Sequence, residues 1–175
     1  MFVFIHFKRY IMKRTIFLMT LLLCFVLGNA QNTSSTSQVA PDAEQSAIET
    51  LLTSKNFEFV ANTVLPLGQP PKNLVGSDYS VTFSPEMIVS NMPYYGRAYR
   101  TLMGRDKGMR FKGAPENFTV AAEDNNYKAH ATVEDENDSY SILLTVEHSG
   151  IATLTISSNG RESIEYHGEV VSVKN

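Results

Sequence analysis

The sequence predicts a mostly β fold of the α+β class, in which an N-terminal helix packs on an antiparallel sheet or open barrel. Three observations lead to this prediction. Residues 42–54 carry apolar side chains at helical spacing. Short β-rich runs fill the rest of the chain, and those of the second half alternate between apolar and polar residues. Glycine-containing turns separate the last runs in the manner of hairpins.

Residues 1–30 are expected to be a signal peptide that is removed from the mature protein. Lys13 and Arg14 precede an almost wholly apolar run of 12 residues, and small residues at Gly28 and Ala30 suit cleavage before Gln31. Spanning a bilayer takes about 20 apolar residues, so we expect no transmembrane segment after cleavage.

The start of translation is placed at Met12. Residues 1–11 then lie upstream of it, or they extend the positively charged region of the signal. Cys24 also raises the alternative of a lipoprotein signal, but that signal needs a small residue before the cysteine, and Leu23 is large. We therefore expect an exported protein of the periplasm or cell surface, without a lipid anchor at Cys24.

Removing the leader changes what the remaining chain can do. The leader carries four basic residues and no acidic ones, so the net charge goes from −3 to −7 for residues 31–175. The single cysteine leaves with it, which excludes disulfides and thiolate chemistry. The acidic balance argues against nucleic acid as a partner.

Residues 31–41 are polar and rich in Ser and Thr, which predicts a flexible linker. Residues 42–175 are long enough for a single globular domain with its own core. In the predicted helix, Asp42 caps the N-terminus. One apolar stripe follows at helical spacing: Ala43, Ala47, Ile48, Leu51 and Leu52.

Strands are expected in both halves of the domain. The first half contains candidate runs at residues 57–64, 79–83, 87–89 and 109–112. Residues 66–78 hold three prolines and two glycines and are predicted to be loop. A five-stranded meander is predicted for the second half, with strands at residues 118–123, 127–134, 140–147, 151–157 and 162–173.

Two three-residue hairpin loops, 148–150 and 158–160, are predicted to end in a left-handed glycine. Glu147 would then pair with Ile151, and Ser157 with Arg161. This register gives one apolar face: Tyr140, Ile142, Leu144, Val146, Ala152, Leu154, Ile156, Ile164 and Tyr166. A two-residue loop in either hairpin is expected to scramble the two faces.

Small residues on the buried face leave room for another element or a ligand to pack against the sheet. They are Ala129, Ala131 and Ala152. The expected occupant is the N-terminal helix, because an amphipathic helix must bury its stripe. The alternative is a ligand cavity in a curled sheet or open barrel.

No catalytic motif or cofactor-binding motif is present, and we expect no cofactor. His130 and His167 share the polar face, but three strands separate them by nearly 20 Å, so no metal site is predicted. The acidic run at residues 134–138 lacks the central glycine of a calcium loop and is interpreted as a solvated turn.

Residues 92–112 form the most unusual segment, because basic and tyrosine side chains alternate there. Guanidinium groups bind anions bidentately, and tyrosines stack on sugars or other rings. This predicts a loop that faces an anion or a glycan. The candidate binding residues are Tyr94, Tyr95, Arg97, Tyr99, Arg100, Arg105 and Arg110. The alternative is internal neutralisation, with the arginines pairing to acidic residues and stacking on their own tyrosines.

Several short patterns resemble an uncharacterised family of secreted Bacteroidetes proteins, a domain-of-unknown-function family. The patterns are Asn73-Leu74-x-Gly76, then Pro93-Tyr94-Tyr95-Gly96-Arg97-Ala98-Tyr99, Gly108-x-x-Phe111 and Ser158-Asn159-Gly160-Arg161-x-x-Ile164-x-Tyr166-x-Gly168. The resemblance covers residues 57–171. It implies a small exported domain of a Gram-negative envelope, and it supplies no catalytic residues.

The sequence therefore favours a non-catalytic binding or interaction module of the cell envelope. Its expected partner is an envelope glycan, an anionic ligand or another envelope protein. One alternative is a hydrolase of envelope polymers that uses surface carboxylates, which requires two acids in one cleft. Another is a structural or assembly protein that pairs through an edge strand.

Overall fold

The computed structural model describes residues 41–99, 108–136 and 138–173, without the side chains of residues 41–46. The predicted leader and linker and Cys24 lie outside these residues. Within them, helix α1 spans Pro41–Thr53. The strands are β1 Phe57–Leu65, β2 Lys72–Asn73, β3 Ser80–Phe83, β4 Ile88–Met92, β5 Met109–Gly113, β6 Pro115–Ala122, β7 Asn126–Asp135, β8 Asp138–Glu147, β9 Ile151–Ser158 and β10 Arg161–Val171.

The strands form one antiparallel sheet in the order β5-β4-β3-β1-β10-β9-β8-β7-β6, and β2 pairs with β1. Only Ala114 separates β5 from β6, although these strands lie at the two ends of that order. The sheet must therefore curl until its ends meet. At this corner a Cβ on Gly113 would lie 2.7 Å from the carbonyl oxygen of Glu134 in β7. The result is a nearly closed barrel, which confirms the predicted fold class.

Strands β6 to β10 are the predicted five-stranded meander, and the predicted buried face is confirmed. Every one of its nine apolar residues is at most 7 % exposed. In the first hairpin Val146 pairs with Ala152, which is the register expected for a loop that places Glu147 opposite Ile151. Gly150 closes that loop at φ 86°, the left-handed conformation that glycine adopts without a steric penalty.

The second hairpin differs from its prediction. Arg161 pairs with Ser158, so the loop has two residues and Gly160 is not left-handed. The register then shifts by one residue between Arg161 and Ile164, because a β-bulge inserts one extra residue in β10. The bulge restores the alternation and keeps Ile164 inside the barrel. A two-residue loop therefore leaves the faces intact, contrary to expectation, and the bulge turns Arg161 inward.

The helix and the first connection also differ in part from the predictions. Leu52 is fully buried, Ile48 and Leu51 are half-buried, and Ala47 is exposed. Only the C-terminal part of the stripe thus enters the core, with the Ile48 side chain beside Gly150 at the β8–β9 turn. Residues 66–78, predicted to be loop, contain the short strand β2.

Aromatic side chains from both halves of the sheet meet inside the barrel. Phe111 of β5 stacks on Tyr140 of β8 with ring centroids 4.0 Å apart. Phe118 of β6 lies 5.9 Å from Phe83 of β3, which stacks in turn on Phe57. The three alanines of the inner face, Ala129, Ala131 and Ala152, are almost completely buried.

Candidate functional site

The segment after β4, residues 93–99, is held in one conformation; we call it the tyrosine–arginine loop. The Tyr94 hydroxyl donates to the carbonyl oxygen of Arg97 at 2.6 Å, and the carbonyl oxygen of Glu162 lies 3.1 Å away. A Cβ on Gly96 would lie 2.5 Å from that hydroxyl, so a larger residue there would displace the Tyr94 ring. The ring of Tyr94 thus folds the loop back over itself.

Backbone pairing fixes the same loop to the start of β10. Ala98 forms an antiparallel bridge with Arg161. The Tyr99 N–H donates to the carbonyl oxygen of Gly160 at 2.9 Å, and the Glu162 N–H donates to the carbonyl oxygen of Arg97 at 3.0 Å. Satisfying its backbone groups in this way lets a loop remain ordered at the surface.

Two buried polar side chains of β10 support the loop from inside the barrel. The Arg161 guanidinium lies 5.2 Å from the centre of the Tyr94 ring and donates to the carbonyl oxygen of Gly108. The Tyr166 hydroxyl donates to the carbonyl oxygen of Pro93 at 2.6 Å. Sequence reasoning left Arg161 and Tyr166 out of the site, because only the β10 bulge and the sheet pairing bring them under the loop.

Both tyrosines that anchor the loop have a raised pKa. Burial is the main cause for Tyr166, because desolvation disfavours the phenolate. Burial also raises the pKa of Tyr94, and the nearby negative charge of Glu162 adds to this effect. These hydroxyls therefore stay protonated and act as hydrogen-bond donors at neutral pH.

This shift predicts a loss of stability in alkali. An unfolded tyrosine releases its proton near pH 10, whereas folded Tyr166 keeps it, so the native state binds more protons above that pH. The contribution of Tyr166 to the free energy of unfolding should be constant below about pH 10. Above that pH it should fall by up to ~1.4 kcal/mol per pH unit. Urea unfolding measured between about pH 8 and pH 11 checks this expectation.

Tyr166→Phe should flatten the alkaline fall, although Tyr94 keeps part of it. Tyr99→Phe is the matched control, because the Tyr99 side chain is 67 % exposed. An alkaline fall of the same steepness in Tyr166→Phe and the wild type would contradict the assignment.

The candidate residues on the loop occupy different environments. Tyr94 faces inward as an anchor, whereas Tyr99 and Arg97 are exposed. Tyr95 is 36 % exposed, and its ring lies 4.7 Å from the Lys72 ammonium. The structure thus brings these four candidates together, with three of them accessible to a ligand.

The remaining candidates are not part of the loop. Arg110 lies on the outer face of β5, where its Nε donates to Oδ1 of Asn91 at 3.0 Å. Arg100 and Arg105 lie outside the described residues.

A cleft of about 420 Å³ opens beside the loop; we call it the Glu162 cleft. Leu65 at the end of β1 and residues 66–68 after it form one wall. Thr155, Glu162, Ser163 and Glu165 belong to the other wall. The Arg97 N–H is within 3.4 Å of Oε2 of Glu162, and His167 Nε2 lies 3.0 Å from Oε1 of Glu165.

Both walls of the Glu162 cleft are connected to the loop. Gln69, next to the first wall, donates from its side-chain amide to the carbonyl oxygen of Tyr95 at 3.0 Å. On the second wall Glu162 carries three of the contacts described above. The loop and the cleft therefore form one continuous surface.

A family model described as a domain of unknown function, DUF4251, matches residues 41–170. The chain belongs to the DUF4251 family. A crystal structure at 1.95 Å of a DUF4251 family protein from Bacteroides eggerthii DSM 20697 is similar to it, with a TM-score of 0.57 and 16 % identity. The similarity covers 74 % of this chain and 87 % of that chain, and at this identity it shows the fold alone. No curated protein matches the chain.

The match confirms the resemblance to a domain-of-unknown-function family. It spans the helix, most of the sheet and the tyrosine–arginine loop. The DUF4251 fold therefore includes every element that builds the candidate site.

The three histidines within the described part of this DUF4251 domain have separate neighbours: His130 lies near Ser141, His148 against the Tyr127 ring and His167 beside Glu165. Over the described ranges, no three His, Cys, Asp or Glu side chains come together as a metal site would require. The same ranges contain no helix with the length and apolar character needed to cross a membrane.

Proposed function

We propose that the protein is an exported, non-catalytic binding module of the cell envelope, and that its ligand is a glycan that contacts the tyrosine–arginine loop. The single observation that carries the proposal is the exposure of Tyr95, Arg97 and Tyr99 on a loop whose backbone is pinned to β10. Because the backbone is already fixed, binding a ligand costs only the conformational freedom of the side chains that contact it.

The charge around the loop favours a glycan over an anionic ligand. Arg97 and Lys72 are close to the exposed rings, but Glu162 and Glu165 line the adjacent cleft. Two carboxylates would repel a polyanion, whereas they accept hydrogen bonds from hydroxyl groups. Tyrosine rings supply the flat apolar surface on which a sugar ring stacks.

Export is supported by the predicted leader, in which Lys13 and Arg14 precede the short apolar run and the cleavage site before Gln31. A Gram-negative envelope is the compartment that the resemblance implies.

The proposal is tested by co-sedimentation of the purified protein, expressed from the full chain, with peptidoglycan sacculi and with insoluble envelope polysaccharide. Arg97→Ala and Tyr99→Ala should each weaken binding about tenfold, because each removes one exposed contact of the ligand surface. The mass of the purified protein reports whether the leader has been cut before Gln31.

The matched controls are Lys112→Ala for the cation and Leu143→Ala for the apolar group, since both side chains are exposed on strands away from the loop. If both loop variants sediment as the wild type does, the loop is not the binding surface. If the wild-type protein sediments with neither polymer, the glycan proposal itself is wrong.

A second candidate function is hydrolysis of an envelope glycan. It is favoured by one observation, namely that Glu162 and Glu165 line the same cleft, as a pair of catalytic carboxylates would. Release of reducing ends from sacculi, lost in Glu165→Gln, would support it. An intact polymer after prolonged incubation would count against it.

A further inference from the structure

The geometry points to the Glu162 cleft as a subsite for one neutral sugar unit, adjacent to the tyrosine–arginine loop. This inference rests on the proposed glycan binding and names the part of the ligand that the cleft would hold. Nothing in the sequence patterns singles out this cleft, because its walls come from the end of β1 with the segment after it and from β9 and β10.

The size and the mixed lining of the cleft fit a sugar ring. Its volume of about 420 Å³ lies within the usual range of small-ligand pockets, roughly 300–1,000 Å³. Leu65, Pro66 and Leu67 give one apolar wall, and Leu67 is 72 % exposed. A pyranose has apolar C–H faces and a polar rim of hydroxyl groups, so it can contact an apolar wall and a polar wall together.

The opposite wall supplies hydrogen-bond acceptors. Both carboxylates on it are oriented by a neighbour: Glu162 by the Arg97 N–H and Glu165 by the His167 ring. Each contact engages one oxygen, and an ionised carboxylate has about four acceptor positions. Acceptor positions therefore remain for sugar hydroxyls, and hydrogen bonds to an ionised group are roughly twice as strong as neutral ones.

The lining also selects against charged sugars. A uronic acid or a sulfated sugar would place its own negative charge near Glu162 and Glu165, and like charges repel. Thr155 and Ser163 add hydroxyl groups that donate and accept equally well. We therefore assign a neutral hexose or N-acetylhexosamine to this subsite.

The experiment is calorimetric titration of the full protein with four probes: maltotetraose, cellotetraose, chitotetraose and tetragalacturonate. At least one neutral tetrasaccharide should bind, and tetragalacturonate should not. Glu165→Gln should weaken the neutral ligand about tenfold, because it replaces a charged acceptor with a neutral amide. Glu169→Gln is the matched control, since Glu169 is exposed on the same strand and does not line the cleft.

Three results would overturn the subsite. One is equal affinity of Glu165→Gln and the wild type; if Tyr99→Ala is weakened at the same time, the loop still binds and only the cleft assignment fails. The second is that none of the three neutral tetrasaccharides binds at about 10 mM. Glycan binding by the loop is then judged separately, by sedimentation with sacculi. The third is displacement of the sugar by spermidine, which would make the cleft a site for cations.

Discussion

Replacing Gly168 by alanine is expected to lower the free energy of unfolding by about 3 kcal/mol. Gly168 lies in the middle of β10 and faces the barrel interior. A Cβ at this position would overlap the carbonyl oxygen of Val60 and would lie 2.9 Å from its carbonyl carbon. Backbone atoms in a paired strand cannot rotate out of the way as the end of a flexible side chain can. The added methyl group must therefore push β1 and β10 apart.

Equilibrium unfolding in urea, followed by circular dichroism, measures this loss as a lower midpoint. Gly68→Ala is the control, because nothing lies within 4 Å of a Cβ there and the cost comes from its φ of 70° alone, about 1 kcal/mol. Equal urea midpoints for the two variants would show that the close approach of the Val60 backbone adds no cost to a side chain at position 168.

The close contact at Gly168 shows where sequence reasoning stops. Hairpin turns and alternation predict the neighbours within the meander, because each turn joins adjacent strands. The contact with Val60 instead depends on the pairing of β1 with β10, more than 100 residues apart, and on the bulge between Ala61 and Thr63. No local pattern encodes either feature. The closure of the sheet at Ala114 could not be predicted from the sequence for the same reason.

The candidate site also contains a part that the sequence could predict and a part that depends on strand pairing. Tyr94, Tyr95, Arg97 and Tyr99 could be named as candidates because they are close in sequence and unusual in composition. Their roles could not be assigned, since the anchoring role of Tyr94 and the exposure of Tyr99 depend on β10. The residues of the Glu162 cleft are dispersed along the chain and individually ordinary. They become a site only through strand pairing.

Arg161→Ala is expected to cost about 3 kcal/mol of unfolding free energy and to release the tyrosine–arginine loop. The Arg161 side chain is only 6 % exposed, and its guanidinium contacts the Gly108 carbonyl oxygen, the Met109 sulfur at 3.9 Å and the Tyr94 ring. Truncation removes this donor from a partly buried carbonyl oxygen and opens a space beneath Tyr94. Urea unfolding measures the loss. The control is Lys128→Ala, which removes a 43 % exposed cation of β7 paired with Glu123 and should change stability little.

Arg161→Lys separates the charge of this side chain from its shape. A lysine keeps the positive charge, but it lacks the planar group that stacks on a ring while donating sideways to a carbonyl oxygen. If Arg161 acts through geometry, the lysine variant should recover only part of the stability and should bind sacculi more weakly than the wild type. Full recovery of both would show that a buried positive charge alone positions the loop. The first outcome would make Arg161 the residue through which barrel packing controls the ligand surface, because the same side chain contacts the core at Met109 and supports the Tyr94 anchor.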